Sequence, residues 1–239
     1  YVDDEENEGE LKTWHHNRFR WFDKGVVEQE IKDRTDNKKP WLVDQAGTSL
    51  CGMACIFYLF AKEQPNDYKV FVKKLFRTGE AKHNSYTVKP SIEVLEKKMN
   101  INKKAENTGG MPLVDYITMA GTRNTDNPDY KGGDEEFQAI NWPPLMTKLS
   151  EEFLGYKNVV SKGVYNPVKP LAYTSHDVKV KIDDINKQLD NAYKLIFMID
   201  ADLIDDHCDV SSLDLHWVVL DSPIAWNYIP SFFVAKKDE

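Results

Sequence analysis

A glutamine stands six residues ahead of a cysteine that opens a very apolar run. The stretch "DQAGTSLCGMACIFYLFA", residues 44–61, holds Gln45 and Cys51 in that relation. A thiol is a poor nucleophile until it ionises, and the N-terminus of a helix favours the thiolate through its unpaired N–H groups and dipole. Cys51 falls where that field is strongest if the apolar run is a helix. Thr48 or Ser49 is expected to cap such a helix, and Gly52 to leave room for a substrate backbone beside the sulfur. Cys55, one turn further in, gains no such field and reads as a small buried apolar residue. A thiolate attacking an amide carbon puts negative charge on the carbonyl oxygen, which needs donors already in place. The side-chain amide of Gln45 and the backbone N–H of Cys51 are the candidates.

Such chemistry also needs an imidazole to hold the ion pair and to protonate the leaving amine. The histidine in "LDLHWVVLD" is His216, which opens an apolar strand-like run of Trp217, Val218, Val219 and Leu220. Read alone, a histidine among apolar residues is a core residue; read with Gln45 and Cys51 upstream, it is the candidate base. A third group would orient its ring. Asp221, at the end of the same run, is the first candidate, because a carboxylate stabilises imidazolium. Strict strand alternation sends it to the opposite face from His216 unless a bulge intervenes. Asn227 is the alternative. His207 beside Cys208 sits in an acidic stretch with Asp200, Asp202, Asp205 and Asp206, and is read as a solvated loop rather than a metal site. The adjacent His15 and His16 point different ways on any regular element and are not assigned a metal. No cofactor is implied.

The elements that must position these groups follow from apolar periodicity and turn residues. Residues 51–62 read as a helix apolar nearly all round, and residues 67–77 as an amphipathic one stopped at Gly79. Shorter helices are expected in "KPSIEVLEKKMN", with Ser91 as cap, in "MPLVDYITMAGTRNT" and in "NWPPLMTKLSEEFLGY", where Pro143 and Pro144 suit a first turn. A helix ending near Asn191 leads to a strand over 194–200, and two more strands flank a turn at residues 221–223. Helices first and strands last give an α+β fold, with a helical first half whose central nucleophile helix packs on a C-terminal antiparallel sheet. The acidic opening "YVDDEENEGE" reads as a partly flexible arm over residues 1–25. Residues 26–239 then form a single domain.

The totals exclude several classes. With 239 residues, 41% hydrophobic and 29% charged, the chain has the composition of a water-soluble globular domain. A net charge of −8 gives no basic face for nucleic acid. No apolar run approaches the roughly 20 residues of a membrane helix. Three cysteines, Cys51, Cys55 and Cys208, without a CxxC pair, argue against a disulfide framework or structural zinc.

The order of Gln45, Cys51 at a buried helix start, and a late strand opened by His216 in "HWVVLD" resembles the papain-like cysteine hydrolases. The "CGMAC" form, with no tryptophan after the nucleophile, is closest to bacterial branches: double-glycine leader peptidases and papain-fold toxin or effector domains. The likeness covers roughly residues 41–235, with an unmatched insertion around 80–175. It implies Cys51 as nucleophile, His216 as general base and acid, and Gln45 in the oxyanion hole. The family's orienting Asp or Asn falls 15 or 16 residues after the histidine, where this sequence has Ser231 and Phe232. The resemblance further implies a protein or peptide substrate, an amide bond (peptide, isopeptide or glutamine side chain), and a secreted or injected bacterial effector or toxin with an immunity or inhibitor protein as partner. Cytoplasmic action is the other location. The competing readings are a catalytically inactive binding module on the same fold, and a deamidase or acyl transferase using the same pair.

Overall fold

The computed structural model of the protein describes residues 2–7, 10–98, 110–133, 136–161, 175–200 and 215–225. Two compact units make up the chain, Tyr1–Ser161 and Lys162–Glu239.

The first unit begins with an antiparallel hairpin of β1 (Val2–Asn7) and β2 (Glu10–His15), in a register running from Val2 against His15 to Asn7 against Glu10. The composition of this acidic segment predicts a solvated arm. A two-stranded ladder satisfies backbone groups without needing a core, so apolar content alone does not register it. Helix α1 (Lys24–Arg34) starts at Asp23, whose carboxylate accepts from the Val26 N–H at 2.8 Å, and it buries Val27, Ile31 and Arg34 along one stripe. A single 3₁₀ turn at Pro40–Leu42 follows.

Helix α2 (Cys51–Glu63) lies at the centre of this unit, with Met53, Ile56, Phe57 and Phe60 fully buried. Around it pack α3 (Pro65–Thr78) and the hairpin of β3 (Ala81–His83) and β4 (Tyr86–Val88). The rings of Phe57, Phe60, Phe71 and Phe153 meet edge to face, with Phe60 and Phe153 centred 4.9 Å apart. His83 stacks within this group at 4.5 Å from Phe60 and shares a 3.0 Å hydrogen bond with the Gln64 side chain. The expected stop of α3 is present: Gly79 takes φ +72° and returns its N–H to the Leu75 carbonyl at 2.8 Å. In Gly79→Ala the new Cβ would come within 2.6 Å of the flexible Arg18 side chain, which can move, whereas the left-handed backbone cannot. The expected cost is about 1–2 kcal/mol, read as a lower urea midpoint with an unchanged slope.

Later helices are shorter than the sequence pattern predicts. The segment after Ser91 forms one turn, α4 (Ile92–Leu95), and Ser91 makes no side-chain cap. The helix over 113–126 is continuous but changes pitch: α5 (Leu113–Asp115), a π turn at Tyr116–Ala120, then α6 (Gly121–Asp126). After α7 (Glu136–Ala139), α8 (Pro143–Lys148) also widens into a π turn at Leu149–Phe153, which delivers Phe153 to the aromatic core.

The second unit contains α9 (Ser175–Asp190) and the antiparallel pair β5 (Leu195–Asp200) and β6 (Leu215–Leu220). Asn186 on α9 holds the chain beyond β6, accepting from the Ile224 N–H at 2.8 Å and donating to its carbonyl at 3.0 Å. The further strand expected after residue 223 lies outside the described residues. The architecture is mixed α+β, with helices concentrated in the first half and antiparallel two-stranded sheets. No helix among the described residues is long and apolar enough to cross a membrane.

Candidate active site

Cys51 is the first residue of α2, as its spacing predicts, and only 7% of it is exposed. The loop before it is fixed by its own polar groups. The Gln45 Nε2 donates to the Thr48 carbonyl at 3.0 Å, and the Thr48 hydroxyl donates to the Gln45 carbonyl at 2.7 Å. Ala46 takes φ +52° and donates its N–H to the Asp44 carboxylate at 2.7 Å, closing a tight turn. The Gln45 amide carries a second N–H. Thr48 is therefore occupied within the loop and caps nothing. Leu50 is the N-cap residue, with no side-chain cap bond. This corrects the expected cap at Thr48 or Ser49: the reciprocal Gln45–Thr48 bonds use that hydroxyl first.

The cap comes instead from far along the chain. Asn141 is fully buried against the first turn of α2. With its amide oriented so that both ends are satisfied, its Oδ1 accepts from the Met53 N–H and its nitrogen donates to the Ala139 carbonyl, each at 3.3 Å. Asn141 has no signal in the sequence, because a cap supplied across the fold leaves no spacing to read. The same contact corrects the expectation for Gly52. A Cβ there would lie 2.6 Å from Asn141 Cβ and 2.8 Å from Met146 Sδ, so the glycine admits the buried Asn141 segment, not a substrate. Gly52→Ala is expected to cost about 1–3 kcal/mol through overpacking, seen as a lowered urea midpoint.

Cys55 behaves as a core residue: it is 5% exposed, and burial, with Cys51 one turn away, pushes its thiol far above the ordinary range. The sequence also misses the anchor behind the Gln45 loop. Asp115, fully buried, accepts the Asp44 N–H at 2.9 Å and pairs with the equally buried Arg34 at 2.5 Å.

His216 lies in the second unit, near the start of β6, half-buried and in register with Ile199. The β5–β6 pairing is regular throughout, so His216, Val218 and Leu220 share one face, and the exposed Asp221 follows the strand's last residue. Partial desolvation pushes the Asp221 carboxyl up. Asn227, His207 and Cys208 lie outside the described residues. Gln45 and Cys51 thus belong to one loop–helix segment of the first unit, and His216 and Asp221 to opposite ends of one strand of the second. Among the described residues no group of three or more His, Cys, Asp or Glu is placed to hold a metal ion. No protein-family model matches the chain, and neither a curated protein nor a solved structure matches it.

Proposed function

We propose that this chain is a cysteine-dependent amide hydrolase in which the roles are distributed as in the papain-like enzymes it resembles. One observation carries the reading: Cys51 opens the buried central helix directly after a loop that fixes Gln45 through two reciprocal bonds to Thr48. The Cys51 thiolate attacks the amide carbon, and the oxyanion is met by the Gln45 amide and the Cys51 N–H. His216, protonated, gives its proton to the leaving amine as the C–N bond breaks, leaving a thioester. His216 then takes a proton from water, whose oxygen displaces the sulfur, and the carboxylic acid departs. Five residues along a regular strand keep Asp221 from the His216 ring, which leaves Asn227 as the candidate to orient the imidazole. In the same reading the substrate is a protein or peptide, and the chain acts as a bacterial effector or toxin restrained by an immunity protein.

Iodoacetamide labelling at pH 6, followed residue by residue by mass spectrometry, tests the dyad. Cys51 should react at least 10-fold faster than Cys55 and Cys208, and His216→Ala should remove that advantage. Equal labelling of the three thiols would sink the proposal. A second reading, a catalytically silent binding module, draws on the 7% exposure of Cys51 and on the Gln45 amide donating inside its own loop. The two part on the same measurement, since a silent module has no reason to activate one thiol.

A further inference from the structure

One cluster of buried polar groups in the first unit, Arg34 and Asp115 with Tyr68, lies behind the Gln45 loop. Arg34 on α1 donates to the carbonyls of Glu30 at 3.0 Å and Leu42 at 2.8 Å as well as to Asp115. It therefore ties α1, the 3₁₀ turn before the loop and α5 to one guanidinium. Both bonds that Asp115 receives, from Arg34 and from the Asp44 N–H, fall on Oδ2. Its Oδ1 is buried with no hydrogen-bond partner among the described residues, as are Arg34 Nε and Tyr68 Oη. The chain widens into its π turn at Tyr116, immediately after Asp115, a local irregularity that recurs at functional sites.

We propose that ionised Asp115 is the positioning residue for the Gln45 loop, and that a proton taken up on its Oδ1 loosens that loop. The inference rests on Gln45 and Cys51 being the site, but its mechanism does not involve hydrolysis. Asp44 begins the turn that carries Gln45, and the Asp44 N–H is held by a carboxylate rather than by a neutral acceptor. Charge-assisted bonds of this kind are roughly twice as strong as neutral ones. Protonation at Oδ1 makes the Asp44 N–H bond a neutral one and at the same time takes the opposite charge from Arg34. Burial, with the Glu30 carboxylate adding to it, pushes the Asp115 carboxyl up to about 7 despite Arg34, so the exchange falls in the neutral range.

The groups facing Asp115 are few. From α1 come Arg34 and Glu30; Glu30 accepts the Val114 N–H at 2.8 Å and is itself raised by burial. From α3 comes Tyr68, whose phenol burial keeps neutral throughout this range. From the loop comes Asp44, whose carboxylate is engaged with Ala46.

Hydrogen exchange by mass spectrometry on the full chain between pH 6 and 8, corrected for intrinsic exchange, tests the proposal. The peptide over residues 42–50 should gain about 10-fold in protection as pH rises, with a midpoint near 7, while the peptide over 65–78 gains none. Asp115→Asn should remove the pH dependence at 42–50, whereas Glu30→Gln should keep it with a lower midpoint. A wild-type loop whose protection does not change between pH 6 and 8 would overturn the proposal even if the Asp115→Asn variant failed to fold. So would a folded Asp115→Asn variant that retains the transition. None of these readouts uses the thiol or a substrate, so the loop result and the hydrolase reading fail separately.

Discussion

Cys51→Ala is expected to abolish the proposed amide hydrolysis, lowering the rate by on the order of 10⁴-fold or more, while leaving the fold in place. The size follows from the role: without the sulfur there is no thioester, and what survives is the positioning of the amide by its surroundings. The fold survives because the change removes one small buried atom from a helix start whose first turn is held by Asn141 and by the Ala54–Leu50 bond of 2.9 Å. A shift of only a few degrees in unfolding temperature is expected. Cys55→Ala is the matched control. It removes an equally buried sulfur one turn away, at 5% exposure, and should leave hydrolysis unchanged. The measurement is the release of new amines from a mixed peptide substrate, followed for both variants and the parent. Activity that persists in Cys51→Ala, or is lost equally in Cys55→Ala, would remove Cys51 from the chemistry.

The parts of this arrangement that the sequence reveals are those with local causes. Helix α2 is legible because nine of its thirteen residues are buried, leaving an apolar run with no strand alternation. The end of α3 is legible because a left-handed residue after an amphipathic run is most often glycine, and Gly79 is there. The placement of His216 on a strand follows from the apolar run behind it. What escapes is set by contacts across the chain. The Arg34–Asp115 pair spans 81 positions, and each partner in isolation reads as a surface charge. Asn141 caps α2 from beyond α7, and its need for a bare backbone at Gly52 inverts the role that a glycine beside a cysteine suggests. The three-residue strands β3 and β4 are too short for alternation to emerge, and a π turn has no distinct period over five residues. Local physics thus exposes Cys51 and the helix it opens, while the scaffold that holds the Gln45 loop is non-local.

The largest stability effect expected outside the aromatic core belongs to that scaffold. Arg34→Met leaves Asp115 buried without its cation and should destabilise the first unit by about 3–5 kcal/mol at pH 8. The double variant Arg34→Met/Asp115→Leu should recover most of this, because replacing both charges by apolar groups removes the desolvation cost along with the attraction. The pH dependence distinguishes a charge effect from simple loss of packing. Asp115 has an ordinary value of 3.8 and is pushed up to about 7 in the folded chain. Between those values the folded state binds more protons than the unfolded one, so this group's contribution to stability is greatest below about 4. It is lost progressively as pH rises to about 7, by roughly 4 kcal/mol at most. Asp115→Asn should flatten that slope. Removing Arg34 raises the Asp115 carboxyl further, since its nearest positive charge is gone. The Arg34→Met penalty should accordingly be smallest near pH 5, where the neutral carboxyl needs no counter-ion, and largest near pH 8. Urea unfolding of the three variants and the parent at pH 5 and pH 8 measures this. A penalty equal at the two pH values would mean that Arg34 acts through its contacts with the Glu30 and Leu42 carbonyls and not through the charge on Asp115.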